Sequence, residues 1–526
     1  MPVVGAVCRD AASIGLHLKD TPPTVAQRAD WWVGGGEGVQ NLQKKLVRAA
    51  ATGKKTPGGA GTHTGHTTGV NTNTASRTRP GYIKMALARA FAFRARFSCT
   101  LFGLPAVPTS EVSAVRLGEQ MAARIANFPF KNAAVSTVLP CWPGSAGAGL
   151  QAALLITTFA AFGKEPVSIV ANIEDVLAGK IAAAPVTLES VTGWTNYAEL
   201  VPEGALPVSA SSRIVATASG FLVPGHQTGS IDLFHVMAPN NVSHAKISTD
   251  KEGFFYHKIV WHDCDGDGRL DVMAARAKVP NVGEKQGELI WLEQPAVGAL
   301  NGTSWKEHVL SAGPDVDFVL SAHAESDGSG PPPVVAAQFF SAPLLAIYRC
   351  AGPTWASCDG GKGISVEALD EDFGPFFAVQ ESDLDGDGLA DLLVTNSRPN
   401  ATGALLAYSK PSGASGYTRH VLASGYAPAP KPHAGPGRGA PGKPFALPTY
   451  SPGEKPRILL SGDDGGFVSV LTPTSEAVGE WSYEQTYLFN STGTIGQLSW
   501  MVNASSGLVA FVPLYSEGRI EAWALP

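Results

Sequence analysis

An all-β propeller is the fold class the sequence predicts, on three observations: a strand-bearing unit repeated six times, two acidic loops locked to that repeat, and a turn-rich composition. Of 526 residues, 59 are Gly and 39 are Pro; together they make roughly a fifth of the chain, which suits many short strands joined by turns and is high for a helical bundle. The glycines keep no three-residue period, which excludes collagen. With 44% hydrophobic and 16% charged residues the chain holds enough apolar side chains to bury a sizeable core.

The repeat begins near residue 188. Its most regular part is a short strand, usually opened by Gly, with alternating apolar positions: GSIDLFHVM (229–237), GELIWLEQP (287–295), APLLAIYRC (342–350), GALLAYSKP (403–411), GFVSVLTP (466–473) and GRIEAWALP (518–526), at steps of 58, 55, 61, 63 and 52 residues. A second strand, typically aromatic-led, follows each of the first five: NVSHAKIS (241–248), WKEHVL (305–310), ISVEAL (364–369), YTRHVL (417–422) and WSYEQTYL (481–488). Inner strands precede the Gly-led ones, at 211–218, 269–275, 332–338, 389–395, 456–462 and 507–513, several of them apolar on both faces as blades sandwiched by neighbours require. Units of this length with several strands favour blades over helical solenoids. The sixth unit lacks its last strand, and WTNYAEL (194–200) has the missing form, so the reading expects 194–200 to pair with 518–525 and close the ring. Six blades are counted, with a seventh if residues before 190 contribute a diverged one.

The N-terminal part is a different material. Residues 1–100 carry 14 Lys/Arg against 4 Asp/Glu, a net +10, and leave −16 on the remainder. No aromatic interleaving or basic helix accompanies the positive charge, so a leader is expected there and no nucleic-acid partner. Residues 53–80 contain almost no large apolar side chain and are expected to be disordered. The region 101–187 is expected to be a small apolar or helical unit or a targeting segment. Its apolar run 149–163 is too short to cross a bilayer, which needs about 20 residues, so a membrane contact is expected only if that run is a retained anchor.

Two units carry an acidic loop just before the inner strand: Asp263, Asp265, Asp267 and Asp271 in one, and Asp383, Asp385, Asp387 and Asp391 in the other, 120 residues apart. Four carboxylates at positions 1, 3, 5 and 9, with glycines at 4 and 6, offer hard oxygen ligands around one centre. The carbonyls of Arg269 and Leu389 at position 7 can add another, which suits the six or seven oxygens of Ca²⁺ better than the octahedron of Mg²⁺. So close a cluster of carboxylates repels itself without a cation. Position 12 is Ala274 or Val394 rather than Glu, which excludes an EF-hand. Two structural Ca²⁺ sites are expected, whereas the corresponding loops at 325–333 and 451–457 have lost their ligands.

This loop, the Gly-led strand after it and the W-x-x-H-V-L strand together resemble the FG-GAP/VCBS repeats of integrin-α-type β-propellers, over about residues 190–526. The resemblance implies Ca²⁺ at the blade edges, seven blades in most members, a secreted or surface location, and binding of a glycan or an extracellular protein. Some members of that family are enzymes, among them sugar lyases and an aldos-2-ulose dehydratase.

Independently, five Asn-x-Ser/Thr sequons fall in the repeat region, at Asn241, Asn301, Asn400, Asn490 and Asn503, in keeping with a secretory route. Cys350 and Cys358 bracket a turn-rich insert and are either a hairpin-tip disulfide or two buried thiols. No GxSxG or HExxH motif occurs, and the string GRGAPGKP (437–444) is no nucleotide-binding loop, because Pro444 stands where a Mg²⁺-binding hydroxyl is needed. Alignment of the units places His323 and Glu381 in one column and His262 and Tyr450 in the next, four candidates for acid–base chemistry if one column converges on the ring's channel. The leading expectation is a calcium-stabilised extracellular binding propeller. A sugar lyase or dehydratase, a carbon–oxygen lyase, is the alternative.

Overall fold

The computed structural model describes residues 122–143, 150–159, 166–188, 193–209, 212–221, 228–238, 241–321, 330–398, 402–429, 439–503 and 505–525. They form seven four-stranded antiparallel sheets, a seven-bladed β-propeller. Strand β1 (Ala123–Pro129) stands apart from the first complete blade, which is β2 (Ala133–Pro143), β3 (Leu150–Thr158), β4 (Ser168–Val170) and β5 (Pro185–Thr187). Next come β6 (Tyr197–Leu200), β7 (Arg213–Ala218), β8 (Ile231–Ala238) and β9 (Asn241–Lys246), then β10 (Phe254–His262), β11 (Asp271–Lys278), β12 (Gln286–Glu293) and β13 (Lys306–Ala312). The fourth and fifth blades are β14 (Asp317–Leu320), β15 (Val334–Ala337), β16 (Leu345–Cys350) and β17 (Ile364–Asp370), and β18 (Phe376–Ser382), β19 (Asp391–Asn396), β20 (Gly403–Ser409) and β21 (Thr418–Tyr426). The sixth is β22 (Pro444–Ala446), β23 (Ile458–Ser461), β24 (Phe467–Pro473) and β25 (Tyr483–Asn490). The last joins β26 (Ser499–Asn503), β27 (Gly507–Leu514) and β28 (Arg519–Leu525) to β1.

Three expectations are corrected here. The strand that completes the last blade is β1, paired antiparallel to β28 from Ala123↔Ala524 to Pro129↔Arg519, whereas residues 197–200 pair only within their own blade. The apolar run at 149–163 is, over Leu150–Thr158, strand β3 and not a helix; its Leu154, Leu155 and Ile156 are fully buried, as a strand covered on both faces must be. The blade count is seven, the extra one being β2–β5. Its third strand has three residues and no leading Gly, and a short helix α1 (Ile173–Leu177) follows it, so the repeat is hard to see there. Residues 1–121, which hold the basic leader and the 53–80 segment, lie outside the described residues, and no described helix is long and apolar enough to cross a membrane.

Blades adhere through apolar faces on both sides of each sheet. In β11, Val272 and Ala274 pack toward β6–β9 with Ile259, Ile290 and Leu292. The intervening Met273 and Ala275 pack toward β14–β17 with Leu289, Trp291, Phe318 and Val334. The two-residue period of a strand thus supplies both neighbours at once. The Gly that opens the third strand has a packing cause: a Cβ on Gly229 would overlap the Ser219 carbonyl, and one on Gly403 the carbonyl of Ala440. At the closure, Phe128, Ile520 and Ala522 join Phe511 and Met501 against Ala133, Leu154 and Ile156 of the first blade, and Arg124 Nη1 donates to Glu521 Oε1 at 2.9 Å.

Phe128→Ala is therefore expected to lower the unfolding free energy by about 3 kcal/mol, the usual order for a buried aromatic, read by chemical denaturation. Removing residues 1–130 is expected to expose the β28 edge and give concentration-dependent association by size-exclusion chromatography; a monomer of undiminished stability would refute the closure.

Candidate functional site

The innermost strands β2, β6, β10, β14, β18, β22 and β26 converge on the ring axis, and at the end where they begin they enclose a cavity of about 390 Å³. Most supply their first residues or those just before them, and β10 supplies mid-strand residues: Ala134 and Val135, Trp194, Asn196 and Tyr197, His257 and Lys258, Asp317, Phe377 and Ala378, Gly442 and Lys443, and Gln497. In a regular strand, consecutive side chains point to opposite faces. Register shifts between Ala133 and Val135, Tyr256 and Lys258, and Phe376 and Ala378 break the alternation, and in each case two successive residues line the cavity. Bulges re-aim side chains in this way.

Aromatic rings wall one side. Phe159 stacks on Trp194 with centroids 5.2 Å apart. Phe221 meets Phe255 and His257 edge-on at 5.3 and 5.1 Å, and Phe377 meets His257 at 5.9 Å. Burial among these rings pushes the His257 imidazole down to about 4, so it is neutral near pH 7.

Beside these rings lies a polar cluster. Lys258 Nζ donates to the Tyr197 hydroxyl at 3.0 Å and sits 4.4 Å from that ring's centroid. The Tyr197 hydroxyl donates in turn to Glu199 Oε2 at 2.6 Å. Lys443 Nζ lies 5.9 Å from the same ring and 3.4 Å from Asp317 Oδ2; Asp317 also accepts from the amides of Phe318 and Val379. Burial, with the nearby Lys443 charge, pushes the Lys258 ammonium down to about 8. Burial raises the Glu199 carboxyl against the opposing pull of Lys258, and the phenol of Tyr197 is raised well above its usual value. The Asn196 amide donates to the His257 carbonyl at 3.3 Å while its buried Oδ1 has no protein partner.

The acidic loops occupy the other end of the ring, between inner and second strands. Oxygens of Asp263, Asp265 and Asp267 lie within 4.8 Å of one another, as do those of Asp383, Asp385 and Asp391. Gly266, Gly268, Gly386 and Gly388 take positive φ of 79–92°, the left-handed conformation that the curl requires and side chains resist. Asp271 accepts from the amides of Cys264 and Gln294, and Asp391 from that of Leu384. Burial and the neighbouring aspartates push both carboxyls up to about 7. The Arg269 side chain pairs with Asp267, whereas Leu389 at the matching position offers no such counter-charge. The donor set is all oxygen and curled round one point, which fits a hard cation such as Ca²⁺.

Of the four acid–base candidates, the three that are described, His262, Glu381 and Tyr450, do not line the axial cavity. His262 and Glu381 stand at the far ends of β10 and β18, and Ser321 Oγ donates to Glu381 from the neighbouring blade. Tyr450 is 72% exposed, and His323 lies outside the described residues, as does Asn400. Asn241, Asn301 and Asn490 are exposed, whereas Asn503 is 5% exposed with its Oδ1 engaged by Ser505 and Ser506, so that sequon cannot carry a glycan without rearrangement. Cys350 and Cys358 are joined, with Cα atoms 5.9 Å apart. The residues missed, Asn196, His257, Lys258, Asp317 and Lys443, fall one or two repeat steps apart, save the adjacent pair His257 and Lys258, and a column drawn along the inner strands would have gathered them.

No family model matches the chain, and no curated protein matches it. Among solved structures, two chains described as glucose dehydrogenase align over 77% of this chain and 99% of their own, at 11% identity, with TM-scores of 0.35 and 0.34. Similarity at that level carries nothing about residues or substrate.

His257 gives a checkable pH dependence. Its folded pKa, about 4, lies below the ordinary 6.5, so between those values the unfolded chain binds more protons and stability is lost as pH falls from 6.5 toward 4. His257→Phe is expected to flatten that part of the profile, measured as melting temperature against pH beside the parent; an unchanged slope would show that His257 protonates freely in the fold.

Proposed function

We propose that this is a secreted, calcium-stabilised propeller that binds a carboxylated saccharide in its axial cavity. The observation that carries the reading is the pairing of two lysines about Tyr197 with an aromatic wall at Trp194 and Phe159. Aromatic faces take the apolar faces of sugar rings, and buried ammonium groups take a carboxylate with charge-assisted hydrogen bonds. Among the described residues, Lys258 spends one N–H donor on Tyr197, which leaves two for a ligand, and Asn196 Oδ1 stands ready to accept from a sugar hydroxyl. Exposed Asn241, Asn301 and Asn490 and the Cys350–Cys358 bridge accord with a secretory route.

In this reading the two acidic loops hold structural Ca²⁺ through Asp263, Asp265 and Asp267, and through Asp383, Asp385 and Asp391, with Asp271, Asp387 and the carbonyls of Arg269 and Leu389 completing the shells. The bound ion would neutralise the carboxylates and fix each loop; no chemistry on substrate is assigned to it.

A second reading, a uronate lyase, is favoured by one feature. The Lys258–Tyr197–Glu199 chain joins an amine poised near neutrality to a raised carboxyl, a route for a proton taken from carbon beside a carboxylate.

Isothermal titration with a glucuronate-containing oligosaccharide and its neutral counterpart tests the binding reading. Preference for the acidic ligand is expected, with Lys443→Met weakening it about tenfold, the size of one charge-assisted hydrogen bond. Equal affinity for both ligands, or none, would overturn it. Absorbance of an unsaturated uronate product distinguishes lyase from binder. Ca²⁺ is expected to raise the melting temperature, and more at pH 8 than at pH 5: Asp271 and Asp391 have raised folded pKa values, so without a cation they lose stability as pH climbs through about 7. A melting temperature indifferent to EGTA at both pH values would remove the cation.

A further inference from the structure

We infer that Lys258 is a carbonyl-trapping amine, whose Nζ forms an imine with the aldehyde or keto carbon of a small oxo acid or of an open-chain sugar acid held in the axial cavity. The inference rests on the reading of that cavity as a carboxylate site. It goes further by assigning the bond made there.

The geometry sets Lys258 apart from the other cavity lysine. Lys443 is paired with Asp317, a buried carboxylate, and is a conventional ion pair. Lys258 has only a neutral phenol within hydrogen-bond reach among the described residues, although lysines so enclosed are ordinarily paired with a carboxylate. The bulge between Tyr256 and Lys258 turns its side chain to the axis, where a structural lysine would instead reach the rim. An amine desolvated beside a second cation loses its proton readily and becomes a nucleophile, and Lys258 meets both conditions, its ammonium standing at about 8.

Tyr197 and Glu199 complete the chemistry. The Nζ lone pair adds to the carbonyl carbon, the C=O π pair moves to oxygen, and that oxygen takes a proton. The two protons released by nitrogen pass through the Tyr197 hydroxyl, 3.0 Å from Nζ, to Glu199, 2.6 Å beyond, and the same pair of groups returns both to the oxygen. Loss of the oxygen as water leaves C=N. One carbonyl and one amine become one imine and one water, with no oxidant or reductant. Lys443, near the same ring, would hold the carboxylate of the oxo acid, which sets the preference for acids over neutral aldehydes.

The test uses the full chain with glyoxylate and sodium cyanoborohydride, whose hydride reduces the imine to a stable carboxymethyl amine, mapped by peptide mass spectrometry. Labelling at Lys258 is expected to run at least about tenfold faster than at an exposed lysine such as Lys306, 69% exposed, because the neutral amine fraction is larger. It should rise with pH up to about 8. Lys443→Met is expected to slow labelling by glycolaldehyde, which lacks the carboxylate, because Lys258 loses its neighbouring cation, and to slow labelling by glyoxylate more, because the carboxylate loses its partner as well. Label spread evenly over surface lysines of the parent protein would overturn the inference, a result that needs no variant to fold. Glucuronate titration of the same sample separates the two failures: binding without label at Lys258 defeats the imine and keeps the carboxylate site, whereas absence of both defeats the cavity reading itself.

Discussion

Every sheet of this protein must be covered on both faces, and that requirement governs the rest. Strands such as β11, β12 and β19 bury side chains toward two neighbours at once, so a blade is stable only between blades, and an array of such sheets either closes or leaves an apolar face in water. Closing the array leaves one junction to be secured, and here it is secured by hydrogen bonds within a sheet. β1 adds to β28 as the outer strand of the last blade, which ties the chain's described beginning to its end by a ladder of backbone bonds instead of side-chain contact alone. Phe128 then enters the core shared with the first blade, so the same seven residues serve both the ladder and the packing.

Convergence on the axis follows from closure. Each inner strand, with the residues just before it, reaches the centre with only a few residues, so the chemistry of the cavity is composed of small contributions from every blade. A lysine from one, a lysine from another, a tyrosine and an aspartate are brought together although no two share a local motif. Low dielectric magnifies what they do to one another: the same burial drives His257 to neutrality, draws the Lys258 proton toward release and holds the proton on Tyr197.

That arrangement explains what the sequence made legible. The Asp-x-Asp-Gly-Asp-Gly loops were readable because all their carboxylates lie within nine residues and the spacing itself encodes the curl, which the positive φ of Gly266 and Gly386 bears out. The Gly-led strands were readable because a close backbone approach excludes a Cβ at Gly229 and Gly403. The inner strands were misassigned: β6 was read as an outer strand, and β14 and β22, with four and three residues, were passed over because short segments carry little periodicity. The first blade escaped for a similar reason, its third strand being only Ser168–Val170. His262, Glu381 and Tyr450 were chosen from the correct repeat but the wrong end of the strand. Lys443 stood inside a glycine-rich string read only for its likeness to a phosphate loop; its cavity position depends on β22, which the local residues do not announce.

The two acidic loops are not placed at random with respect to the cavity. They end β10 and β18, two of the three inner strands whose beginnings carry a bulge. A bulge interrupts the ladder and locally loosens the strand that bears it, and β10 is the strand that aims His257 and Lys258. About five residues, or roughly 17 Å of strand, separate Lys258 from Asp263. At that far end each loop also grips the following blade: the Cys264 carbonyl accepts from the Ala356 amide at 2.9 Å, and the Leu384 carbonyl from the Tyr483 hydroxyl at 3.0 Å. A strand bent at one end to serve the cavity is thus pinned at the other to two blades. The loop contacts and the cavity sit at opposite ends of the same strand, joined by one continuous ladder with β11.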